Sequence, residues 1–261
     1  MIVEEADFTT RLAKDDRDLR AAQRLRYKVF VEELGGNGPM VDPVNRLERD
    51  EFDPLFDHLL LVDRRRDPAK LDDVVGVYRL LRSDVLTEGQ KFYSEDEYDL
   101  RILRASGRRL LELGRSCVHG DYRGGAAMFL LWNALADYVV EHQIEILFGV
   151  ASFHGVDIAA LAPALSHLYA NHLAPPALRV TAREGQRQRM DLVPPALLDR
   201  RAAMAATPAL IKAYLRLGGY VGDGAWIDHE FNTTDVCLIM DTARMSEKHR
   251  AFYLRKAARS P

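Results

Sequence analysis

Cysteines and long apolar runs are both scarce in this chain, and each scarcity excludes a class of protein. Of the 261 residues, two are cysteines, Cys117 and Cys237, and they lie far apart. Such a pair does not make the disulfide framework of a small secreted protein, so we expect a reducing, cytoplasmic compartment. The longest apolar run, 126–140, is interrupted by Asn133 and Asp137 and is too short to cross a bilayer.

A strong charge of one sign is also missing. The chain has 36 basic and 39 acidic residues and a formal net charge of −3, so no general basic field indicates a nucleic-acid partner. Residues 1–10 are acidic and lack an apolar core, so we expect no signal peptide. Basic residues cluster locally at 64–66, 183–189, 200–201 and 248–259. Each cluster is either solvated surface or a docking patch for an acidic partner or an anionic membrane.

Residue patterns typical of metal and nucleotide sites are missing as well. We expect no metal site, because no cysteine pair is present and the spacing of His167 and His172 does not put two imidazoles on one helical face. There is no Walker A motif, and the glycine-rich segment 218–224 follows a helix, so we predict a turn there. Cys117 and His119 are compatible with a nucleophile and its base, but a core cysteine is the commoner case.

Hydrophobic periodicity predicts an α/β architecture. Helical spacing occurs over 15–34, from Met128 onward and over 208–217, and strand patterns occur at 58–62, 74–81, 110–118, 145–150 and 236–240. A strand, a turn, a helix and a strand in succession suggest a mixed sheet with helices on its faces. We predict one domain over 1–261, with a helical insertion at 155–207 and a basic amphipathic tail at 245–261. The acidic segment 37–57 predicts a mobile surface loop that carries function.

The segment 112–126 is the strongest candidate for chemistry. It predicts a strand that carries Glu112 and Arg115, then a glycine-rich turn, then the N-terminus of a helix. Backbone N–H groups at such a junction stabilise a phosphate or a developing oxyanion. Regular strand alternation points Glu112 and Arg115 to opposite faces, so we expect a bulge at Gly114. A bulge there would also free a backbone donor near Val118 for an oxyanion.

With its Arg123-Gly124-Gly125 turn, this strand, bulge and helix resemble the acyl-donor site of the GNAT N-acyltransferase superfamily. The resemblance implies a mixed central sheet flanked by helices, and a turn that binds the phosphate of a pantetheine thioester. Tyr214, four residues before Gly218, matches the late tyrosine signature of that superfamily. The resemblance makes Tyr214 the group that protonates the leaving thiolate, and a helix residue packed on the sheet is the plain alternative.

Other segments narrow the resemblance. The segments 26–30, 48–53, 78–81 and 112–115 are similar to acyl-homoserine-lactone synthases, although 31–35 lacks the tryptophan expected there. The segments 112–119, 190–192, 208–224 and 231–238 resemble more closely the L-ornithine Nα-acyltransferases of bacterial aminolipid synthesis. That family implies transfer of a 3-hydroxyacyl group from acyl carrier protein to the α-amine of ornithine, which makes lyso-ornithine lipid. The alternatives are acylation of another amino acid such as glutamine, homoserine lactone synthesis, and a non-catalytic carrier-protein or membrane-binding module.

The same residues suggest roles in such a reaction. The acceptor amine must lose a proton before it attacks, and Glu112 is our first choice of base, directly or through a water. Arg115 is expected to orient Glu112 or the loop carboxylates. The acceptor is expected to meet four charged side chains, with carboxylates for its ammonium groups and an arginine for its carboxylate: Glu48, Asp50, Asp53 and Arg79.

The donor is expected to be a co-substrate and not a resident cofactor. It is a 3-hydroxyacyl-phosphopantetheine on acyl carrier protein, held at four residues of the turn: Val118, Arg123, Gly124 and Gly125. The apolar region 155–217 is expected either to enclose the acyl chain or to touch the bilayer, and we expect at most a peripheral contact with the inner face of the membrane.

Overall fold

A computed structural model describes residues 7–124 and 126–244 of the chain. The strands are β1 Phe8–Leu12, β2 Asp57–Asp63, β3 Val74–Arg82, β4 Tyr98–Asp99, β5 Leu110–Val118, β6 Ile146–His154, β7 Thr181–Ala182, β8 Arg187–Gln188, β9 Tyr220–Val221, β10 Ala225–Asp228 and β11 Thr233–Asp241. The α-helices are α1 Asp16–Arg26, α2 Arg101–Arg104, α3 Ala127–Glu141, α4 Ile158–His172, α5 Arg200–Ala206 and α6 Ala209–Arg216. None of the helices in this described part is long and apolar enough to cross a membrane.

The described residues divide into two compact units. The first contains 7–85 and 113–143, and the second contains 86–112 and 144–244. Strand β5 contributes to both, because its first three residues belong to the second unit and the rest to the first. The predicted insertion at 155–207 lies wholly in the second unit, and the predicted tail at 245–261 lies outside the described residues.

The first unit is a sheet covered by helices. Its strands follow the order β1, β2, β3 and then the later part of β5. Strands β1 and β2 pair antiparallel with Thr10 opposite Leu61, and β2 and β3 pair antiparallel with Leu60 opposite Val77. Helix α1 packs its apolar face, including Leu25, into a core with these strands. That packing carries the end of α1 over the sheet, which is where its last residue, Arg26, is buried.

The second unit contains a mixed sheet. The first residues of β5 run parallel to β6, with Glu112 opposite Phe148, and β6 pairs antiparallel with β11 along its whole length. Strands β10 and β8 continue beyond β11, and β9 also pairs with β11. Parallel and antiparallel pairs in one sheet confirm the predicted mixed architecture. The Tyr98 hydroxyl donates to the carbonyls of Gly224 and Asp235, at 3.0 Å each, which attaches β4 to this sheet.

Most predicted elements are present, with three main differences. The helix predicted at 15–34 is α1 followed by a π-helical stretch, Tyr27–Glu33. Strand β1 has no counterpart in the prediction. The region 155–207 is less helical than predicted, because α4 and α5 are separated by the short strands β7 and β8 and by short 3₁₀ turns.

The predicted mobile loop at 37–57 is wrong in one respect that matters for the site. Asp42 and Leu47 exchange two backbone hydrogen bonds, of 2.8 and 2.9 Å, which close the loop on itself. Behind that closure Leu47, Glu48 and Asp53 are buried. Glu48 and Asp53 therefore point inward, because they form ion pairs with buried arginines of the sheet and of α1.

Candidate functional site

Six charged side chains of the first unit meet in one network, called here the carboxylate–arginine cluster. They come from the end of α1, the loop before β2, strand β3 and strand β5: Arg26, Glu48, Asp50, Asp53, Arg79 and Arg115. Three carboxylates face three guanidinium groups, so the cluster is formally neutral. The structure thus brings together every loop carboxylate that the sequence singled out, with Arg79 and Arg115.

Arg26 lies at the centre of the cluster and is 0% exposed. Its Nη1 donates to Asp53 Oδ1 at 2.6 Å, and its Nε donates to Glu48. A guanidinium out of water is costly unless carboxylates neutralise it, so both partners are needed here. The sequence carried a sign of this role, because Arg26 lies one turn after Ala22, on the buried face of α1.

Arg79 is the second fully buried guanidinium. Its Nη1 donates to Asp50 Oδ1 at 2.6 Å and to Asp53 Oδ1 at 2.8 Å. Its guanidinium carbon lies 4.5 Å from the centroid of the Phe56 ring, within the range of a cation–π contact. Arg79 is 0% exposed, so it contacts the two aspartates from the buried side of the cluster.

Arg115 completes the cluster from β5. Its Nε donates to Glu48 Oε1 at 3.1 Å and its Nη2 donates to Asp50 Oδ2 at 3.2 Å, so it contacts the loop carboxylates. Its φ is +48°, in the left-handed region, whereas Gly114 is not among the residues with positive φ. The irregularity predicted at Gly114 therefore occurs one residue later. This costs strain that glycine would avoid, and the ion pairs of Arg115 hold it in place.

The cluster keeps its carboxylates ionised. Burial by itself raises the pKa of Glu48, but the charges of Arg26 and Arg115 outweigh burial and lower that pKa to about 2. Burial also raises the pKa of Asp53, and Arg26 and Arg79 together hold it well below its usual range. The side chains nearest to solvent are Asp50, 18% exposed, and Arg115, 13% exposed. A charged ligand would meet these two first.

Two neutral side chains support Asp53, Gln23 and His58. Gln23 Nε2 donates to Asp53 Oδ2 at 2.8 Å. The imidazole Nε2 of His58 lies 3.0 Å from the backbone oxygen of Asp53. Burial lowers the pKa of His58 below its ordinary value, so the ring is neutral near neutral pH. A neutral ring that donates from Nε2 adds no charge to a cluster that is already balanced.

Glu112 has a separate environment in the second unit. Its carboxylate is buried and accepts hydrogen bonds from Tyr93 N at 2.9 Å, Ser94 N at 2.6 Å and Ser94 Oγ at 2.5 Å. Both carboxylate oxygens accept hydrogen bonds in this arrangement, Oε2 from Tyr93 and Oε1 from Ser94. The side chain is therefore rigidly oriented by the turn at 93–94, which the sequence analysis did not identify.

The turn after β5 joins two of the predicted donor-site residues. Arg123 Nε donates to the carbonyl of Val118 at 3.0 Å, and Arg123 Nη2 donates to Glu33 Oε2 at 2.5 Å. Gly124 has a φ of +76° with no atom within 4 Å of the place where a Cβ would lie. Gly125 lies outside the described residues. Helix α3 starts just afterwards, and its N-cap residue, Ala126, provides no side-chain cap.

Beside this turn lies a pair that the sequence analysis missed. Lys28 Nζ is 2.6 Å from His119 Nε2, and His119 Nδ1 accepts from Asp121 N at 3.3 Å. Burial and the Lys28 charge lower the pKa of His119. Both neighbours are hydrogen-bond donors and a neutral ring has one acceptor nitrogen, so the ring accepts from only one of them at a time. Lys28 comes from the π-helical stretch, so its position depends on that local distortion.

Tyr214 is buried on α6 in the second unit. Its carbonyl accepts from Gly219 N at 3.0 Å, and a Cβ on Gly219 would lie only 2.9 Å from that oxygen. A side chain at 219 would therefore clash with this backbone oxygen, so the turn needs glycine there. The predicted turn at 218–224 is confirmed in its first residues, since Gly218 has a φ of +93°.

Two remaining sequence hypotheses concern cysteine and histidine. Burial raises the pKa of the Cys117 thiol to about 12, and Cys117 packs in the core with Leu25 and Leu60, which supports the core interpretation. The prediction that His167 and His172 lie on different faces is wrong, because their ring centroids are 5.6 Å apart. His172 is the last residue of α4, where the backbone leaves the helix, and its ring can turn back. No group of three metal-ligating side chains occurs among residues 7–124 and 126–244.

Known proteins share this fold. The chain matches the acetyltransferase (GNAT) domain family over residues 25–133. The solved structure of FeeM, an N-acyl amino acid synthase from uncultured soil microbes, is similar with a TM-score of 0.53 at 11% identity, covering 93% of this chain and 97% of that chain. Together with the relatives below, these matches define the chain as an acyltransferase with the GNAT fold.

Curated relatives narrow that class. A Rhodobacter capsulatus protein named L-ornithine N(alpha)-acyltransferase is 66% identical over 249 residues, which is 95% of each chain. A Brucella abortus protein of the same name is 41% identical over 251 residues, covering 95% of this chain and 89% of its own. The chain belongs to the L-ornithine N(alpha)-acyltransferase family.

Proposed function

We propose that this enzyme transfers a 3-hydroxyacyl group from acyl carrier protein to the α-amine of L-ornithine and so makes lyso-ornithine lipid. The observation that carries this function is the 66% identity, over 95% of both chains, to a protein named for acylation of ornithine. The acyl carrier protein donor comes from the family resemblance. We further propose that the enzyme works in the cytoplasm with peripheral contact at the inner face of the membrane.

The acceptor is proposed to bind at the solvent side of the carboxylate–arginine cluster. An amino acid presents ammonium and carboxylate groups, and Asp50 and Arg115 are the cluster members nearest to solvent. We therefore assign Asp50 to an ammonium group and Arg115 to the acceptor carboxylate. The other acceptor-site residues of the cluster are buried and hold Asp50 and Arg115 in position: Glu48, Asp53 and Arg79. They therefore act on the acceptor only through Asp50 and Arg115.

The donor is proposed to bind at the turn after β5. The pantetheine phosphate would displace Glu33 from Arg123, with Gly124 and Gly125 allowing the backbone to approach closely. The side chains of Arg123 and Glu33 are 50% and 30% exposed, and such a surface pair contributes only about 0–1 kcal/mol. The exchange of partners is therefore cheap. Val118 remains our predicted backbone donor to the thioester oxyanion.

The chemical step is proposed to need a base and an acid. The amine loses a proton to Glu112, directly or through a water. The amine nitrogen then attacks the thioester carbon, the carbon–nitrogen bond forms, the nitrogen gives its second proton to solvent, and the carbon–sulfur bond breaks. Tyr214 donates a proton to the leaving sulfur and is reprotonated from solvent.

An acyl-transfer assay tests this function directly. The purified enzyme is incubated with 3-hydroxyacyl carrier protein and, separately, ornithine, lysine, glutamine and S-adenosylmethionine, and products are identified by mass spectrometry. We expect acyl-ornithine as the main product. If acyl-glutamine or a homoserine lactone is the main product, then the acceptor is glutamine or S-adenosylmethionine and not ornithine. No product with any of them would favour a binding module.

The role of Glu112 is tested with a matched pair of variants. Glu112→Gln is expected to abolish transfer, because an amide is not a base. The amide also places an NH₂ group against the N–H and O–H groups of the 93–94 turn, which can destabilise the fold. Folding is therefore checked by circular dichroism, and binding of the acyl carrier protein is measured separately. Ser94→Ala removes one hydrogen bond but keeps the carboxylate, and it is expected to retain most of the activity. Near-normal turnover of a folded Glu112→Gln variant would remove Glu112 from the mechanism.

A further inference from the structure

A surface of the second unit combines exposed leucines with basic residues. We call it the 192–216 surface and define it by six side chains: Leu192, Leu197, Arg200, Arg201, Lys212 and Arg216. Leu197 is 77% exposed and Leu192 is 37% exposed, on a loop where Pro194 and Pro195 are also exposed. Leu197 therefore leaves most of its apolar side chain in contact with solvent.

The basic residues of this surface are not neutralised by nearby acids. Between residues 192 and 219 there are four basic residues and one acid, Asp199. Asp199 is the N-cap of α5, where its carboxylate accepts from Arg201 N at 2.9 Å and Ala202 N at 3.0 Å. Within the described part of the chain, none of the four cations forms an ion pair. The surface therefore carries a local positive charge.

Helices α5 and α6 present these cations together. Lys212 Nζ donates to the carbonyl of Ala205 at 3.4 Å, which places the start of α6 beside the end of α5. Lys212 and Arg216 are one turn apart, so they share a face of α6. The opposite face, with Ile211 and Leu215, is buried. On α5 the residues beside Arg201 are exposed alanines.

We propose that the 192–216 surface binds an anionic lipid bilayer. Anionic headgroups attract the cations, and Leu197 enters the interface. The two prolines have no N–H groups, so the loop loses fewer hydrogen bonds with water when it enters an apolar layer. An acidic protein would use the cations but would gain little from a leucine that projects from a loop. The purpose of this contact rests on the proposed function, because an acylated amino acid is amphipathic and passes from the enzyme to a bilayer.

Vesicle sedimentation tests the contact without catalysis. The full-length enzyme is mixed with phosphatidylcholine vesicles or with equimolar phosphatidylcholine and phosphatidylglycerol vesicles. Arg201→Glu is expected to weaken binding to the anionic vesicles by about 30-fold, because each unit of positive charge near such a surface contributes about fivefold and the reversal removes two units. Leu197→Ser is expected to weaken binding to them by about tenfold.

Two control variants match these changes in the first unit. Val44→Ser alters a side chain that is 89% exposed, and Arg20→Glu reverses an exposed charge on α1. Both are expected to bind the anionic vesicles like the unchanged enzyme. Leu197→Trp adds a second readout, since its extra fluorescence is expected to shift to shorter wavelength on the anionic vesicles, whereas Val44→Trp is expected not to shift.

Three results would overturn this membrane contact. The first is unchanged vesicle binding of Leu197→Ser and Arg201→Glu. The second is an equal loss in the control variants. The third is a raised KM of Arg201→Glu for the acyl carrier protein with unchanged vesicle binding, which would make the surface a carrier-protein site. An enzyme that binds vesicles as expected but acylates no amino acid would contradict the proposed function alone.

Discussion

The pair of variants Arg115→Ala and Arg115→Gly separates what the side chain contributes from what its backbone costs. Arg115 connects Glu48 and Asp50 through hydrogen bonds of 3.1 and 3.2 Å, and it does so from a φ of +48°. Both substitutions remove the guanidinium. Only glycine also removes the strain of the left-handed backbone, so the difference between the two variants reports that strain.

The expected magnitudes follow from the geometry. Breaking a buried ion pair costs about 3–5 kcal/mol, but Arg115 is partly exposed and Glu48 keeps Arg26. We therefore expect Arg115→Ala to lower the free energy of unfolding by about 2–3 kcal/mol. A left-handed residue other than glycine costs about 1 kcal/mol, partly offset by the greater freedom of glycine in the unfolded chain. Arg115→Gly is thus expected to be about 0.5–1 kcal/mol more stable than Arg115→Ala.

The pH dependence gives an independent check. The pKa of Glu48 falls on folding from 4.5 to about 2, so its stabilisation is complete above pH 4.5 and is lost as pH falls toward 2. Arg115 supplies part of that effect. The stability gap between the parent enzyme and Arg115→Ala is therefore expected to be widest near neutral pH and to narrow in acid. Urea unfolding followed by circular dichroism, at several pH values in this range, measures it.

Two results would refute this reasoning. If Arg115→Gly is less stable than Arg115→Ala, then the backbone strain at this position is not real. If the gap between the parent and Arg115→Ala stays constant from neutral to acid pH, then Arg115 does not stabilise the ionised form of Glu48. Arg115→Lys serves as a control, because it keeps one charge but loses the planar fork, and it is expected to fall between the parent and alanine.

Three further predictions concern other parts of the molecule. Arg26→Met leaves Glu48 and Asp53 without their central partner, so it is expected to lower the free energy of unfolding by about 3–5 kcal/mol in urea titrations, and parent-like stability would contradict the cluster. Gly219→Ala puts a Cβ 2.9 Å from the Tyr214 carbonyl and is expected to cost about 1–3 kcal/mol, whereas Gly120→Ala, with its nearest atom at 3.8 Å, is the mild control. Tyr214→Phe is expected to lower kcat in the acyl-transfer assay while the melting temperature stays near that of the parent, and unchanged kcat would remove the phenol from the mechanism.

Local sequence signals predicted much of the fold. Strand β5 has the predicted bounds, and α6 begins after Pro208 and ends before Gly218, as its proline and glycine indicated. These features depend on neighbouring residues, so their signals lie in short windows. The irregularity of β5 was predicted at Gly114 but occurs at Arg115. Short sequence windows could not show this, because Arg115 is held by Glu48 and Asp50, which are distant in sequence.

The sequence by itself determined the composition of the site, and the tertiary structure decided which charges meet. The types of residue at 48–53, 79 and 115 already pointed to charged-ligand chemistry. Only the fold could show that Arg26 from the end of a helix neutralises Glu48 and Asp53, and that Asp50 and Arg115 remain nearest to solvent. Burial and pairing arise from contacts between segments far apart in the chain, and the free energy of a buried charge depends on those contacts and not on its sequence neighbours.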